Sequence, residues 1–357
     1  MNRNSSTSSS EPAWRRFALT LLAAALLSAG LLYLLILIID PYDSVPFSPG
    51  WDRYPPRGDH RHWNAKLLKQ PRFDSLVIGT STAMLLKPDD LNRTLGGTFA
   101  NLSMPLSTAW EQMRVLELFH HYHPRMAAVV ADLDFLWCHA KEVPEHGNEI
   151  LRRGYPEWLY DTNPWNDLPP FNKTSLKSAW DQTRALLGIY RPYARWLDGY
   201  EDNSQTLHAS NAPAAIHKRL HESTPENLMK DRGPLTQLRY PSLEQLEAIM
   251  KQLPPETLKL VFFPPIHHLF QPKPGSVQET LWNGCKSRAA NLARQLENAY
   301  VVDFLVPSPI THDDGHYIDG YHYTPQVASQ LAELLGQVRR RPAAPDERYR
   351  VLASPSH

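Results

Sequence analysis

The chain has 357 residues, enough for one large domain or two small ones, and 37 basic side chains balance 37 acidic ones. That balance argues against a nucleic-acid or anionic-surface partner. The 32 prolines imply long, loop-rich connections, and ten Trp with 15 Tyr suit either core packing or a surface that grips carbohydrate.

Residues 1–16, MNRNSSTSSSEPAWRR, form a Ser-rich segment too poor in apolar surface to fold, read as a disordered tail. Residues 17–39 carry no charge; as a helix, these 23 residues reach roughly 34 Å, against about 30 Å of hydrocarbon core. Arg3, Arg15 and Arg16 precede this span, whereas Asp40 and Asp43 follow it. The positive-inside rule then places the tail in the cytoplasm and the body across the membrane. A cleavable signal peptide is the alternative, but the apolar run is longer than a usual h-region and no A-x-A-like site follows. The expectation is a single-pass protein of the inner (cytoplasmic) membrane with a periplasmic body. In that compartment Cys138 and Cys285 admit either a disulfide or two separate buried thiols.

Residues 40–62 are punctuated by Pro and Gly and read as a linker. Residues 63–341 read as one α/β domain. Short apolar runs at 73–80, 97–104, 125–134, 258–265 and 299–305 have the look of buried strands, with amphipathic helical segments between them. Thr108 and Glu111 are spaced as a capping box at the start of one such helix. About residues 139–241 the alternation breaks into an aromatic, Pro-rich and partly helical stretch, read as an insertion covering the site. Residues 342–357 read as a disordered tail. The pattern predicts a doubly wound, parallel five-stranded sheet of the flavodoxin-like kind, whose ligands bind beyond the carboxyl ends of the strands.

The first strand ends in IGTSTA. A Gly ahead of Ser81 at a strand-to-helix turn lets the hydroxyl stand exposed, with backbone N–H groups of the next helix able to face an oxyanion. A serine hydroxyl needs a base, and the base works best when a carboxylate fixes its tautomer. YIDGYHYTPQ supplies both: Asp319 and His322 lie on one loop before the last helix, with Thr324 available as a cap and Pro325 as a first helical residue. In a doubly wound fold that loop and the end of the first strand share one edge.

VIGTSTA followed far downstream by DGYHYTP resembles the SGNH/GDSL hydrolase superfamily. More narrowly, the plan resembles membrane-anchored, extracytoplasmic SGNH-like proteins of cell-envelope polysaccharide O-acylation, of the alginate O-acetylation and D-alanyl-lipoteichoic acid types. ANLSMPLST and VVADLDF are similar to their second and third blocks, and the resemblance runs from about Lys66 to Gln337 with the insertion unmatched. It implies Ser81 as nucleophile, His322 as general base and Asp319 as its orienting partner. It also implies an oxyanion hole from the backbone N–H groups of Ser81 and Ser103. Where the third block of the family offers an Asn donor, this chain has Asp132 and Asp134, and an ionised carboxylate cannot donate.

Asp134, His267, His268 and Trp110 are the further candidates for substrate contact, although Trp110 on its helix suits core packing better. The loop with His312, Asp313, Asp314 and His316 matches no metal-ligand spacing, and neither metal nor cofactor is expected. The function so implied is a serine esterase or O-acyltransferase working through an acyl-serine. Its partners would be the bilayer through residues 17–39, a polysaccharide or acyl-ester substrate, and a membrane-bound acyltransferase, with no nucleic acid. Two rivals stand beside it: a non-catalytic carbohydrate-binding or scaffold subunit of an envelope-polymer export or acylation complex, and a metal-dependent enzyme built on the His/Asp loop.

Overall fold

In a computed structural model the described residues are 11–54, 59–138, 154–163, 165–189, 197–202, 204, 207–208, 210–223 and 238–355. They divide into two compact units, Met1–Pro56 with Asn163–Tyr193, and Arg57–Thr162 with Ala194–His357. Most of the N-terminal tail and much of the expected insertion lie outside the described residues.

The first unit contains α1 (Glu11–Ile39) and α5 (Lys173–Leu186). Within α1, Ala13–Ile39 is long and apolar enough to cross a membrane, and most of its leucines are exposed. The segment after α1, expected to be a linker, is instead folded. Asp40 is buried and accepts the backbone N–H groups of Ser44 (2.9 Å) and Val45 (3.0 Å) and the Ser48 hydroxyl (2.8 Å). Arg53 pairs with Asp43 at 2.6 Å and donates to the Ile39 carbonyl at the helix end. The Pro and Gly content that suggested a linker also suits tight turns, and one buried carboxylate with several donors organises them.

The second unit is a six-stranded sheet in the order β2-β1-β3-β4-β5-β6. Its strands are β1 (Ser75–Ile78), β2 (Phe99–Asn101), β3 (Ala128–Asp132), β4 (Leu258–Phe263), β5 (Ala299–Asp303) and β6 (Arg350–Ala353). The first five are parallel and fall within the five apolar runs; β6 is antiparallel to β5 and is the departure from the expected all-parallel sheet. It comes from the tail expected to be disordered. Tyr349 is buried edge-on against Phe304 at 5.6 Å, while Val351 and Leu352 pack on the two cores. A four-residue strand among Pro, Ala and charged residues leaves little compositional trace, and only the open edge of β5 gives it a partner.

Side chains alternate across the sheet as a period of two requires. Leu76 and Ile78 of β1 point into one core with Val129, Ala131, Val261 and Phe263; Val77 points into the other with Val130, Leu260 and Phe262. On the first face lie α2 (His60–Leu67), α4 (Ala109–Tyr122), α7 (Pro241–Met250) and α8 (Val277–Ala293). On the second lie α3 (Pro88–Leu95) and α9 (Pro325–Arg340), with α6 (Pro213–His221) contributing Leu220. The capping box of α4 is formed in both directions by Thr108 and Glu111. The two cysteines are joined, Cys138–Cys285, with Cα atoms 5.3 Å apart across 147 residues of sequence. In the chain-entropy account a closure of that length stabilises by about 5 kcal/mol.

Candidate active site

In a sheet of order 2-1-3-4-5, ligands bind where the winding reverses, outside the carboxyl ends of β1 and β3. Ser81 stands three residues past the end of β1. The turn that presents it requires glycine at position 79, because a Cβ there would lie 2.5 Å from that of Ala83 and 2.8 Å from that of Asp132. The residues on either side of Ser81 are moored to the end of β3. Thr80 donates its hydroxyl to Asp134 at 2.7 Å and Thr82 donates to Asp132 at 2.5 Å. The chain then enters a single 3-10 turn, Ala83–Leu85, rather than an α-helix. Asn101, at the end of β2, holds that turn by donating to the carbonyls of Ala83 and Leu86, both at 2.8 Å.

The partner loop folds on itself. Tyr317 and Tyr323 form an isolated antiparallel bridge, and Asp319 between them accepts the backbone N–H groups of Tyr321 and His322, both at 2.8 Å. This is an Asx-type turn, the local reason why an Asp two and three residues ahead of its donors closes the loop. Gly320 lies so close to Phe270 that a Cβ would fall 2.2 Å from the ring. The backbone N–H of His267 donates to the Gly320 carbonyl at 3.1 Å, and Tyr323 donates its hydroxyl to the Thr82 carbonyl at 2.8 Å. That last bond ties the loop to the serine turn. Pro325 begins α9, and Thr324 occupies the capping position without a side-chain cap bond.

Ser81 Oγ lies 2.8 Å from Nε2 of His322, and Nδ1 of His322 lies 2.9 Å from Oδ2 and 3.0 Å from Oδ1 of Asp319. With the proton on Nδ1 held by the carboxylate, Nε2 is left as an acceptor for the serine O–H. A second imidazole, His208, reaches Oδ2 of Asp319 through its own Nε2 at 2.5 Å. Burial would raise Asp319, but the bonds from His322, His208 and the loop amides outweigh it and hold the carboxyl well below its usual range.

The two carboxylates at the end of β3 behave in the opposite way. Burial pushes Asp134 up to about 6 against its bonds from Thr80 and Leu136. Burial and then the neighbouring Asp134 push Asp132 well above the ordinary value, and its Oδ1 has no hydrogen-bond partner among the described residues. The expectation that neither carboxylate can donate is therefore amended at low pH: below about pH 6 Asp134 keeps its proton and is a neutral acid. The second expected oxyanion donor is engaged elsewhere, because the Ser103 N–H donates to Oδ1 of Asn101 at 3.1 Å.

A cleft of about 240 Å³ opens beside Ser81 and His322, and Asp134 lines it. His267 and His268 are not among the described residues that line it; their neighbours Ile266 and Phe270 are. His267 is buried, bonds Asp314 at 3.0 Å and meets the Tyr317 ring edge-on at 5.1 Å, while His268 stacks on His312 at 4.4 Å. These histidines brace the loop rather than face the cleft. Burial lowers His267 despite the Asp314 carboxylate. Trp110 packs on the core, edge-on to Tyr155 at 5.4 Å. His208 and Asn101 were not singled out from the sequence. His208 sits in the irregular insertion, and Asn101 reads there only as one polar residue at a strand end.

No protein-family model matches the chain, and no curated protein does. A solved structure described as a candidate platelet activating factor from Streptococcus pneumonia is a distant structural neighbour. The identity is 11%, the TM-score is 0.40, and the match covers 78% of this chain and 91% of that one. The functional reading therefore rests on the geometry of Ser81, His322 and Asp319.

Proposed function

We propose that the protein is a membrane-anchored, extracytoplasmic SGNH-like serine esterase or O-acyltransferase acting on cell-envelope polysaccharide through an acyl-serine. The observation that carries this reading is the 2.8 Å contact between Ser81 Oγ and His322 Nε2, with Asp319 on the far ring nitrogen. Attack of Ser81 Oγ on an ester carbonyl passes the hydroxyl proton to Nε2. Collapse of the tetrahedral intermediate returns that proton to the departing alkoxide and leaves the acyl group on Ser81. Water, or a polysaccharide hydroxyl, then attacks the acyl-serine as its proton passes to the same nitrogen. Collapse of the second tetrahedral intermediate breaks the acyl–Oγ bond and returns that proton to Ser81 Oγ. The Ser81 backbone N–H is the oxyanion donor this reading assigns.

The span Ala13–Ile39 would tether the domain to the membrane, with Arg15 and Arg16 on the cytoplasmic side, and raise its concentration near the envelope polymer. The Cys138–Cys285 bridge fits an oxidising compartment beyond that membrane. A membrane-bound acyltransferase is the partner this reading assigns as a source of acyl groups.

The test is covalent labelling by a fluorophosphonate. The wild-type chain is expected to label on Ser81, and Ser81→Ala and His322→Ala to abolish labelling and ester turnover together. A wild-type protein that neither labels nor cleaves any simple ester would overturn the reading.

A further inference from the structure

We infer that the cleft beside Ser81 is an acyl-chain pocket, and that the group carried on the serine is a medium-chain acyl of roughly six to ten carbons rather than acetyl. This rests on the reading of Ser81 as nucleophile and adds the chemical class of its substrate, a medium-chain fatty acyl ester.

The size of the cleft comes first. A dry apolar cavity of about 150 Å³ holds the six carbons of benzene. A cleft of about 240 Å³ therefore has room for a chain of roughly that length or half as long again, and an acetyl methyl would leave most of it unfilled. The walls are the second observation. Phe135, Ile266, Phe270 and Trp282 supply them, while most polar groups come from the Ser81 turn and the loop of Tyr321 and His322. Thr80 and Thr82 turn their hydroxyls onto Asp134 and Asp132. No Lys or Arg is among the described residues that line the cleft.

The rim is the third. Leu106 lines the cleft with 57% of its surface exposed and its backbone at φ 51°, the left-handed region that a branched side chain rarely occupies. Strained backbone presenting an apolar side chain to solvent at the mouth of a cleft marks a place shaped for a ligand. The fourth is the disulfide. Cys285 lies three residues after Trp282 on α8, and Cys138 three residues after Phe135, so the bridge ties two walls of the pocket together. The width available to a chain is thereby set covalently.

The experiment uses the full chain in lipid nanodiscs with p-nitrophenyl esters from acetate to hexadecanoate. Each buried methylene is expected to raise kcat/KM severalfold, giving at least ~100-fold from acetate to octanoate and a fall beyond dodecanoate. Ile266→Trp, which fills the pocket, is expected to lower the octanoate-to-acetate ratio at least tenfold. Acetate cleaved as well as octanoate, or a ratio untouched by Ile266→Trp, would overturn the inference. A photoactivatable octanoate analogue separates this failure from failure of the nucleophile reading. Crosslinks mapped to residues 264–272 in both wild type and Ser81→Ala, without turnover of any ester, support the pocket and sink the nucleophile. No crosslink there, with acetyl ester cleaved best, sinks the pocket and leaves the nucleophile standing.

Discussion

The serine turn and the acid–base loop meet across one 2.8 Å hydrogen bond, yet they are held by different means. Around Ser81 the chain is positioned by the core: Gly79 is squeezed between Ala83 and Asp132, and Thr80 and Thr82 are moored to two buried carboxyls. Around His322 the loop is positioned largely by itself, Asp319 collecting two of its own amides and two imidazoles. The carboxyls differ accordingly. Asp319 is drawn down by its donors, whereas burial drives Asp132 and Asp134 up. Aspartates around one cleft thus titrate in different ranges, with burial and hydrogen-bond donors acting in opposite directions.

The comparison breaks hardest at Asp319. Asp319→Asn keeps an oxygen for the loop amides but loses the charge and the hold on the His322 tautomer. The expected result is a fall in kcat on the order of 10⁴, together with a lower melting temperature at neutral pH, because the stability contributed by the depressed carboxyl is lost. A loss of folding instead would show that the loop depends on more than its local amide bonds.

Next comes Gly320→Ala, whose Cβ would meet the Phe270 ring at 2.2 Å. Displacing the loop by about 1 Å should cost on the order of 10² in turnover. In a Phe270→Ala background the same substitution should cost little. An equal cost in both backgrounds would mean that the ring does not set the loop.

Asp134→Asn tests the other side through pH. Folded Asp134 keeps its proton to about pH 6, while the unfolded chain releases it near 3.8. Its contribution to stability is therefore present below about pH 4 and lost as pH rises through 6. The Asn variant should match wild type near pH 4 and exceed it at pH 8, by on the order of 2–3 kcal/mol in denaturant titrations. A difference that is flat across pH would remove burial as the cause.

The smallest effect is expected at His208→Ala, a positioning residue that acts through Asp319. Losing one donor to that carboxylate should lower kcat by roughly threefold to tenfold while KM stays nearly unchanged. An unchanged kcat would leave His208 a surface contact.

Part of this architecture was legible in the chain alone. Short, nearly continuous apolar runs mark strands buried on both faces, so all five parallel strands can be found without coordinates. Ser81, Asp319 and His322 stand out because a Gly-led strand end and an Asp three residues from a His are local patterns, formed by nearby residues. Local patterns also account for the capping box at Thr108. The features that stayed hidden depend on partners distant in sequence or on burial. β6 needs the free edge of β5, Asp40 organises a segment that composition assigns to a linker, and Ser103 loses its N–H to Asn101. The charge state of Asp134 likewise comes from burial, which no neighbour in sequence can supply.

The sequence by itself determined an apolar span and an α/β body, and it singled out Ser81, Asp319 and His322 as candidates, because hydrophobic period and turn chemistry act over a few residues. Tertiary structure alone decided that Ser81 and His322, 241 residues apart, come within hydrogen-bond reach. It also decided that the two cysteines join, and that an apolar cleft opens beside the serine. Those outcomes depend on how strands order themselves in a sheet, and packing across the whole domain sets that order.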